Sequence, residues 1–280
     1  MADNVLRYCF GRLNLIASYT DKLTFIWDGL NSGKKIGDRI MWGFFNVSKI
    51  HSNKDETFIH GQLVKYKRES DQEVAVPEKH KLDSVTIPNT VIAKSKFFMQ
   101  INSGVIAFHP VAQKIEYNHF CEKFVELFEQ AYDNILVNAE IQGIQERFKL
   151  IELIKEFTAL KKITVKLHPS NPDSSPIWRF LDEKYKKLNI KSYSECYESD
   201  EKGLEKSIAD DDNVKAKIVM AEDGYGMATI SGTLNDENVK ISSSDNPKTA
   251  DIVDSEDPQV IIEQLKPTID EIKQRFVRWD

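Results

Sequence analysis

The sequence predicts an α+β fold, with a strand-rich N-terminal part of residues 1–110 and a mixed helix-and-sheet part of residues 111–280 closed by a last helix. Three observations predict it. Up to Phe108 the apolar residues alternate or bunch in short runs broken by Gly, Asn and Ser, as half-buried strands require. Beyond His109-Pro110 their spacing lengthens to three and four residues, the period of an amphipathic helix. Alternation then returns between the helical stretches, so the second part mixes both elements.

Leu6, Tyr8 and Phe10 alternate in the first strand. Thr24–Trp27 reads as a second, ahead of the loop Asp28–Gly33, and Phe44–Val47 and Phe58–Tyr66 as further ones. The charged stretch Lys67–Lys81 reads as a solvated loop. Phe97–Ile101 and Val105–Phe108 are strands joined at Asn102-Ser103-Gly104, where Gly suits a positive φ. Phe120, Phe124, Leu127, Phe128 and Ala131 mark one helix, and Phe148, Ile151, Ile154, Phe157 and Leu160 a second. A strand at Ile135–Ile141 precedes that second helix, and Ile163, Val165 and Leu167 follow it. Strand, helix, strand predicts a parallel pair with a helical crossover. Asp173-Ser174-Ser175-Pro176 predicts a capped helix start, with Ile177, Leu181, Tyr185 and Leu188 as its buried stripe. Ala216, Ile218 and Met220 predict a strand entering a hairpin at Asp223-Gly224, followed by Met227–Leu234 and Val239–Ile241. Pro258 opens the last helix, whose stripe is Leu265, Ile269, Ile272 and Phe276, with Pro267 placed to kink or divide it.

The chain has 280 residues, 41% of them hydrophobic, with 15 Phe, 9 Tyr and 4 Trp, ample for one large core or two modest ones. Its net charge of −6 excludes coating nucleic acid or an anionic membrane with the whole surface. No apolar run approaches the roughly 18 residues of a membrane span. The first residues lack the pattern of a secretory leader, and Cys9, Cys121 and Cys196 are odd in number and far apart. A reduced cytoplasmic protein with ordinary thiols is expected.

Catalytic and cofactor motifs fail on spacing. Gly29–Lys35 has three residues between its glycines and no hydroxyl after the lysine, unlike a phosphate-binding loop. Gly224, Gly226 and Gly232 read as hairpin glycines rather than a dinucleotide fingerprint. Asp173 with Glu183 and Lys184 resembles a metal-dependent nuclease pattern, but a helix would separate the two carboxylates. The six histidines show no metal spacing, and Asp210-Asp211-Asp212 reads as a solvated loop. No catalytic residue, cofactor or metal is therefore expected.

The strongest signal is charge. Gln145–Tyr193 carries eleven Lys or Arg against six Asp or Glu, whereas Ser194–Asp257 carries six Lys against seventeen Asp or Glu. Strand parity puts Thr164, Lys166 and His168 on one face. The candidate nucleic-acid contacts are Lys94, Lys96, Lys161, Lys162, Lys166, His168, Ser170, Asn171, Arg179, Lys184 and Lys187, with Trp178 and Tyr193 available for stacking.

Several segments together look familiar: His60–Lys65, Ala93–Phe98, Ser103–Pro110, Leu167–Pro172 and Asp223–Gly226. In this order they resemble an uncharacterised family of bacterial proteins of about this length, across nearly the whole chain. That resemblance carries no activity with it. The layout, strand-rich then helical then antiparallel, is similar to the RexA and KwaB proteins of phage exclusion and phage defence, which implies DNA binding, although no site residue carries over. The expected function is a non-catalytic nucleic-acid-binding component of a bacterial defence or regulatory system, taking DNA or RNA. A metal-dependent nuclease and a protein-interaction subunit with an acidic docking face are the alternatives. Trp279, at the end of the last helix, marks a possible homodimer contact.

Overall fold

The computed structural model describes residues 4–16, 21–53, 56–135, 137–170, 175–200 and 202–276. Among these residues it is a strand-rich α+β structure of twelve strands and six helices, with every strand pair antiparallel.

The first sheet runs β12 (Thr249–Val253), β1 (Val5–Ile16), β6 (Val105–Phe108), β5 (Lys81–Gln100), β4 (Glu56–Val76), β3 (Ile40–Asn53) and β2 (Lys35–Gly37). β7 (Asn138–Gly143) also pairs with β1, on the same edge as β12 and end to end with it. Thus β7 and β12, from the second expected part, complete the sheet of the first. One face is covered by α1 (Lys22–Leu30) and α2 (Tyr117–Gln130). There Phe124 packs on Phe44 and Phe97, and Phe120 stacks on Phe108. The other face is covered in part by α6 (Pro258–Gln274), through Ile261, Ile262, Leu265, Ile269 and Ile272 against Tyr8, Phe10, Phe58 and Phe98. α6 stays one helix through Pro267.

The second sheet runs β11 (Glu237–Ser242), β10 (Gly226–Leu234), β8 (Ala159–Leu167) and β9 (Tyr193–Glu198). Its inner face carries Ile163, Val165, Leu167, Ala228 and Ile230, packed with residues of α3 (Lys149–Glu156), α4 (Arg179–Lys187) and α5 (Asp212–Glu222) in one core.

Several expectations are corrected. Thr24–Trp27 lies in α1, not a strand, because Asp21 accepts from the amides of Leu23 and Thr24 and starts a helix there. The loop expected from Asp28 begins only after that helix. Lys67–Lys81 is not a loop: β4 continues to Val76 and pairs with β5 as an arm. The parallel crossover does not form, since α3 carries the chain from the first sheet to the second instead of returning it to one sheet. The second helix ends at Glu156, and Leu160 belongs to β8.

The helix expected from Pro176 begins at Arg179, after a turn. Its expected cap, Asp173, lies outside the described residues, and Leu188 is exposed. Ala216, Ile218 and Met220 belong to α5, capped by Asp211, which accepts from the amides of Asn213 and Val214. Asp223-Gly224 therefore closes a helix instead of turning a hairpin, with Gly224 at φ +86°.

A buried polar junction joins the two sheets. Asp223 accepts from Arg147 Nε at 3.0 Å and Nη2 at 2.8 Å, from Trp178 Nε1 at 2.9 Å and from Arg275 Nη1 at 3.3 Å. Arg12, from β1, donates to the Asp223 carbonyl at 2.9 Å, and its guanidinium lies 4.5 Å from the Tyr225 ring centroid and 4.9 Å from that of Phe276.

Candidate nucleic-acid interface

Beyond the start of α6, the sheet face that this helix covers opens. The floor is built from cross-strand rows, because side chains on paired strands project together. One row runs Lys35 (β2), Gly43 (β3), Val64 (β4), Lys94 (β5). The next is Phe45, Gln62, Lys96, and on the other side lies Met41, Tyr66, Val91. At a strand spacing of about 4.8 Å, Lys35 and Lys94 flank the trough roughly 14 Å apart. Among the described residues neither lysine has an ion-pair partner.

The trough encloses about 510 Å³ and is lined by Lys35, Phe45, Asn46, Gln62, Val64, Tyr66, Asn89, Val91 and Lys94. Gly43 makes room for Phe45: a Cβ on that glycine would lie 3.0 Å from Phe45 Cε2. Phe45 is 39% exposed and meets Tyr66 edge-on at 5.9 Å, while Tyr66 is buried in the floor. Asn46 and Asn89 adopt left-handed backbone, φ +52° and +55°, and Asn46 occupies a register shift between β3 and β4. Asn and Asp tolerate that conformation better than other side-chain-bearing residues. A smaller cleft of about 200 Å³ continues past Gln62 to His60, Lys96 and Pro258 at the start of α6. There His60 stacks on Phe98, and burial holds its ring below the usual histidine range.

The eleven sequence-selected residues do not share one sheet. Lys94 lines the trough, but Lys96 is committed to Asp254 at 2.6 Å and the Ser255 carbonyl at 3.0 Å. Lys162 and Lys166 project with Thr164 from the open face of the second sheet, and Lys162 is paired with Glu198 at 3.0 Å. Lys161 is exposed at a bulge opposite Ser231 and Gly232. His168 is buried, with Nδ1 donating to the Lys191 carbonyl and Nε2 3.0 Å from Glu140. That contact lifts His168 above its ordinary pKa and holds Glu140 below the carboxylate range.

Ser170 is also buried, held by Asp182 and Lys186. Arg179 is half-buried on α4, and Lys184 and Lys187 are exposed there with Glu183. Asn171 lies outside the described residues. Neither aromatic residue expected to stack is free to do so. Trp178 is fully buried, and Tyr193 stacks on Tyr185 while donating to Glu195.

Among the described residues no group of three or more His, Cys, Asp or Glu could hold a metal ion, and no helix is long and apolar enough to cross a membrane.

Residues 27–270 match the family model described as a domain of unknown function, DUF4747. The chain belongs to the DUF4747 family. Every residue of the trough falls inside the DUF4747 match. No curated protein matches the chain.

Sequence reasoning missed Phe45, Tyr66 and Lys35. One signal was present: adjacent Phe44 and Phe45 on a strand must point to opposite faces. With Phe44 packed under α2, Phe45 had to lie on the other side.

Proposed function

We propose that this chain is a non-catalytic nucleic-acid-binding component of a bacterial phage-defence or regulatory system, and that it takes a single-stranded segment across the open face beside α6. The observation that carries this reading is the row Lys35–Gly43–Val64–Lys94 beside exposed Phe45. Two cations flank an apolar floor with an aromatic ring in it, the combination that holds phosphates at the edges and a base on the ring. Asn46, Gln62 and Asn89 supply amide donors and acceptors for base edges. Arg68 follows Tyr66 on the same face of β4 and extends the cationic track. The biological setting is part of the proposal and rests only on a loose likeness of sequence layout to phage-exclusion and defence proteins.

Fluorescence anisotropy with labelled single strands, at a series of salt concentrations, tests the reading. If Lys35 and Lys94 each neutralise a phosphate, Lys35→Ala with Lys94→Ala should flatten the log–log salt slope by about 1.4. Phe45→Ala should weaken binding by about 1–3 kcal/mol, the usual contribution of one stacked base. Lys161→Ala with Lys162→Ala and Lys166→Ala should leave affinity nearly unchanged. Loss confined to that last variant would move the interface to the second sheet, and no binding at low salt would remove the function.

A further inference from the structure

The trough does not end at Gln62. Asn46 and Gln62 line both the trough and the cleft of about 200 Å³ beside the start of α6, so the two spaces are continuous. Gln62 and His60 lie two residues apart on β4, roughly 7 Å at strand rise, the span of one nucleotide in an extended single strand.

The two spaces differ in charge. Two lysines without ion-pair partners among the described residues flank the trough. In the cleft the Lys96 ammonium is taken up by Asp254 at 2.6 Å and by the Ser255 carbonyl at 3.0 Å. The Asp257 amide donates to Ser255 Oγ at 3.1 Å, and Asp257 accepts from the Gln259 amide at 2.9 Å. These bonds fix the loop on both sides of Glu256. The Glu256 carboxylate lines the cleft, is exposed and, among the described residues, makes no hydrogen bond or ion pair. A carboxylate repels phosphate, so the cleft is not a second phosphate seat. It only accepts hydrogen bonds, so its partner must donate. The other walls suit a flat ring. His60 lines the cleft and stacks on Phe98 at 5.8 Å with 19° between the planes, and burial keeps its ring neutral. Asn46 donates to Gln62 Oε1 at 3.5 Å, which leaves the Gln62 amino group as a donor.

We infer that the cleft takes a guanine base, next along the strand from the base on Phe45, with Glu256 accepting from its N1–H and N2 amino group and the Gln62 amino group donating to its O6. The inference rests on the reading of the trough as a single-strand seat. Among the common bases guanine alone presents two adjacent donors on one edge, as a guanidinium does to a carboxylate. Adenine and cytosine offer one amino group beside an acceptor nitrogen, and thymine and uracil one ring N–H between two carbonyls. In each of those a lone pair would face the second carboxylate oxygen.

Fluorescence anisotropy with labelled oligothymidine and oligouridine, each carrying a single central substitution, tests this. One guanine should tighten binding about tenfold over the unsubstituted strand, within the range of one bidentate base contact. Adenine and cytosine should not. Hypoxanthine, which lacks only the N2 amino group of guanine, should lose most of the gain. Glu256→Ala should abolish the guanine preference without weakening the unsubstituted strand, because the charge it removes is negative. Lys35→Ala with Lys94→Ala should weaken all strands alike and keep the preference. Strands that bind with no preference for guanine leave the trough reading standing and overturn this inference. Hypoxanthine that matches guanine, or a preference that survives Glu256→Ala, overturns it too. Binding to no strand at low salt overturns both.

Discussion

Glu222 shows how much one side chain's surroundings decide. It is fully enclosed, and its two oxygens accept from the amides of Phe148 and Leu150 at the start of α3. Burial pushes its carboxyl up to about 7 against the pull of those amides, and Asp223 adds to the rise while Arg275 opposes it. The folded chain therefore keeps a proton that the unfolded chain has released, and this group lowers stability as pH rises from about 4.5 to about 7. His168 acts in the same direction higher up. Its contact with Glu140 raises it, so its contribution is full below about 6.5 and lost as pH rises through the raised folded value. Glu140, lowered chiefly by His168, contributes above about 4.5 and loses that as pH falls through its lowered folded value. Thermal melts across pH should peak near about 5 and fall toward alkaline pH. Glu222→Gln should flatten the lower part of that fall, and His168→Gln only the upper part. Melting temperatures that climb between about pH 5 and 7 would contradict the Glu222 assignment, and a climb between neutral and alkaline pH the His168 one. None of this was legible in the sequence, since burial and the approach of α3 to Glu222 are set by residues some seventy positions away.

At the scale of elements, the sequence read best where one face of an element is buried and the other wet. α2, β8 and α6 were legible for that reason: their apolar spacing repeats the geometry of a single covered face. α5 was not. Val214 and every residue from Ala216 to Glu222 are buried, so there is no stripe, and a buried helix of mixed small and apolar residues imitates alternation. α1 failed differently, because Phe25, Ile26 and Trp27 favour strands while its cap, Asp21, decides for a helix. Asp21→Ala should therefore cost about 1 kcal/mol, measured by urea denaturation. Gly29→Ala is a sharper test of how α1 docks. A Cβ there would stand 2.5 Å from the Phe128 ring, so the substitution should lower stability although alanine favours helices. An unchanged or higher midpoint would mean that α1 sits farther from α2 than described.

For the molecule as a whole, the trough was out of reach of sequence reading because its two cations, Lys35 and Lys94, lie on strands that become neighbours only across β3 and β4. The fold class was within reach because it depends on local patterning summed over many segments. The junction at Asp223 binds these parts into one unit: β1, the turn before α3, the turn before α4 and the end of α6 all send groups to it. Asp223→Ala would take from half-buried Arg147 its carboxylate partner and from buried Arg275 one of three, and the expected cost is about 3 kcal/mol. Unfolding followed by circular dichroism and by tryptophan fluorescence should stay coincident but move to lower denaturant. Separate transitions would show two independently stable halves.

The pairing of β1 with β12 bears on how the chain is made. Val5–Cys9 leave the ribosome long before their partners on one edge, Thr249–Val253, are synthesised. For most of translation that strand edge stays open, and an open edge is a template for pairing with other nascent chains. Slow synthesis or chaperone cover should therefore raise the soluble yield, and a chain halted before Thr249 should aggregate even though its second sheet is complete.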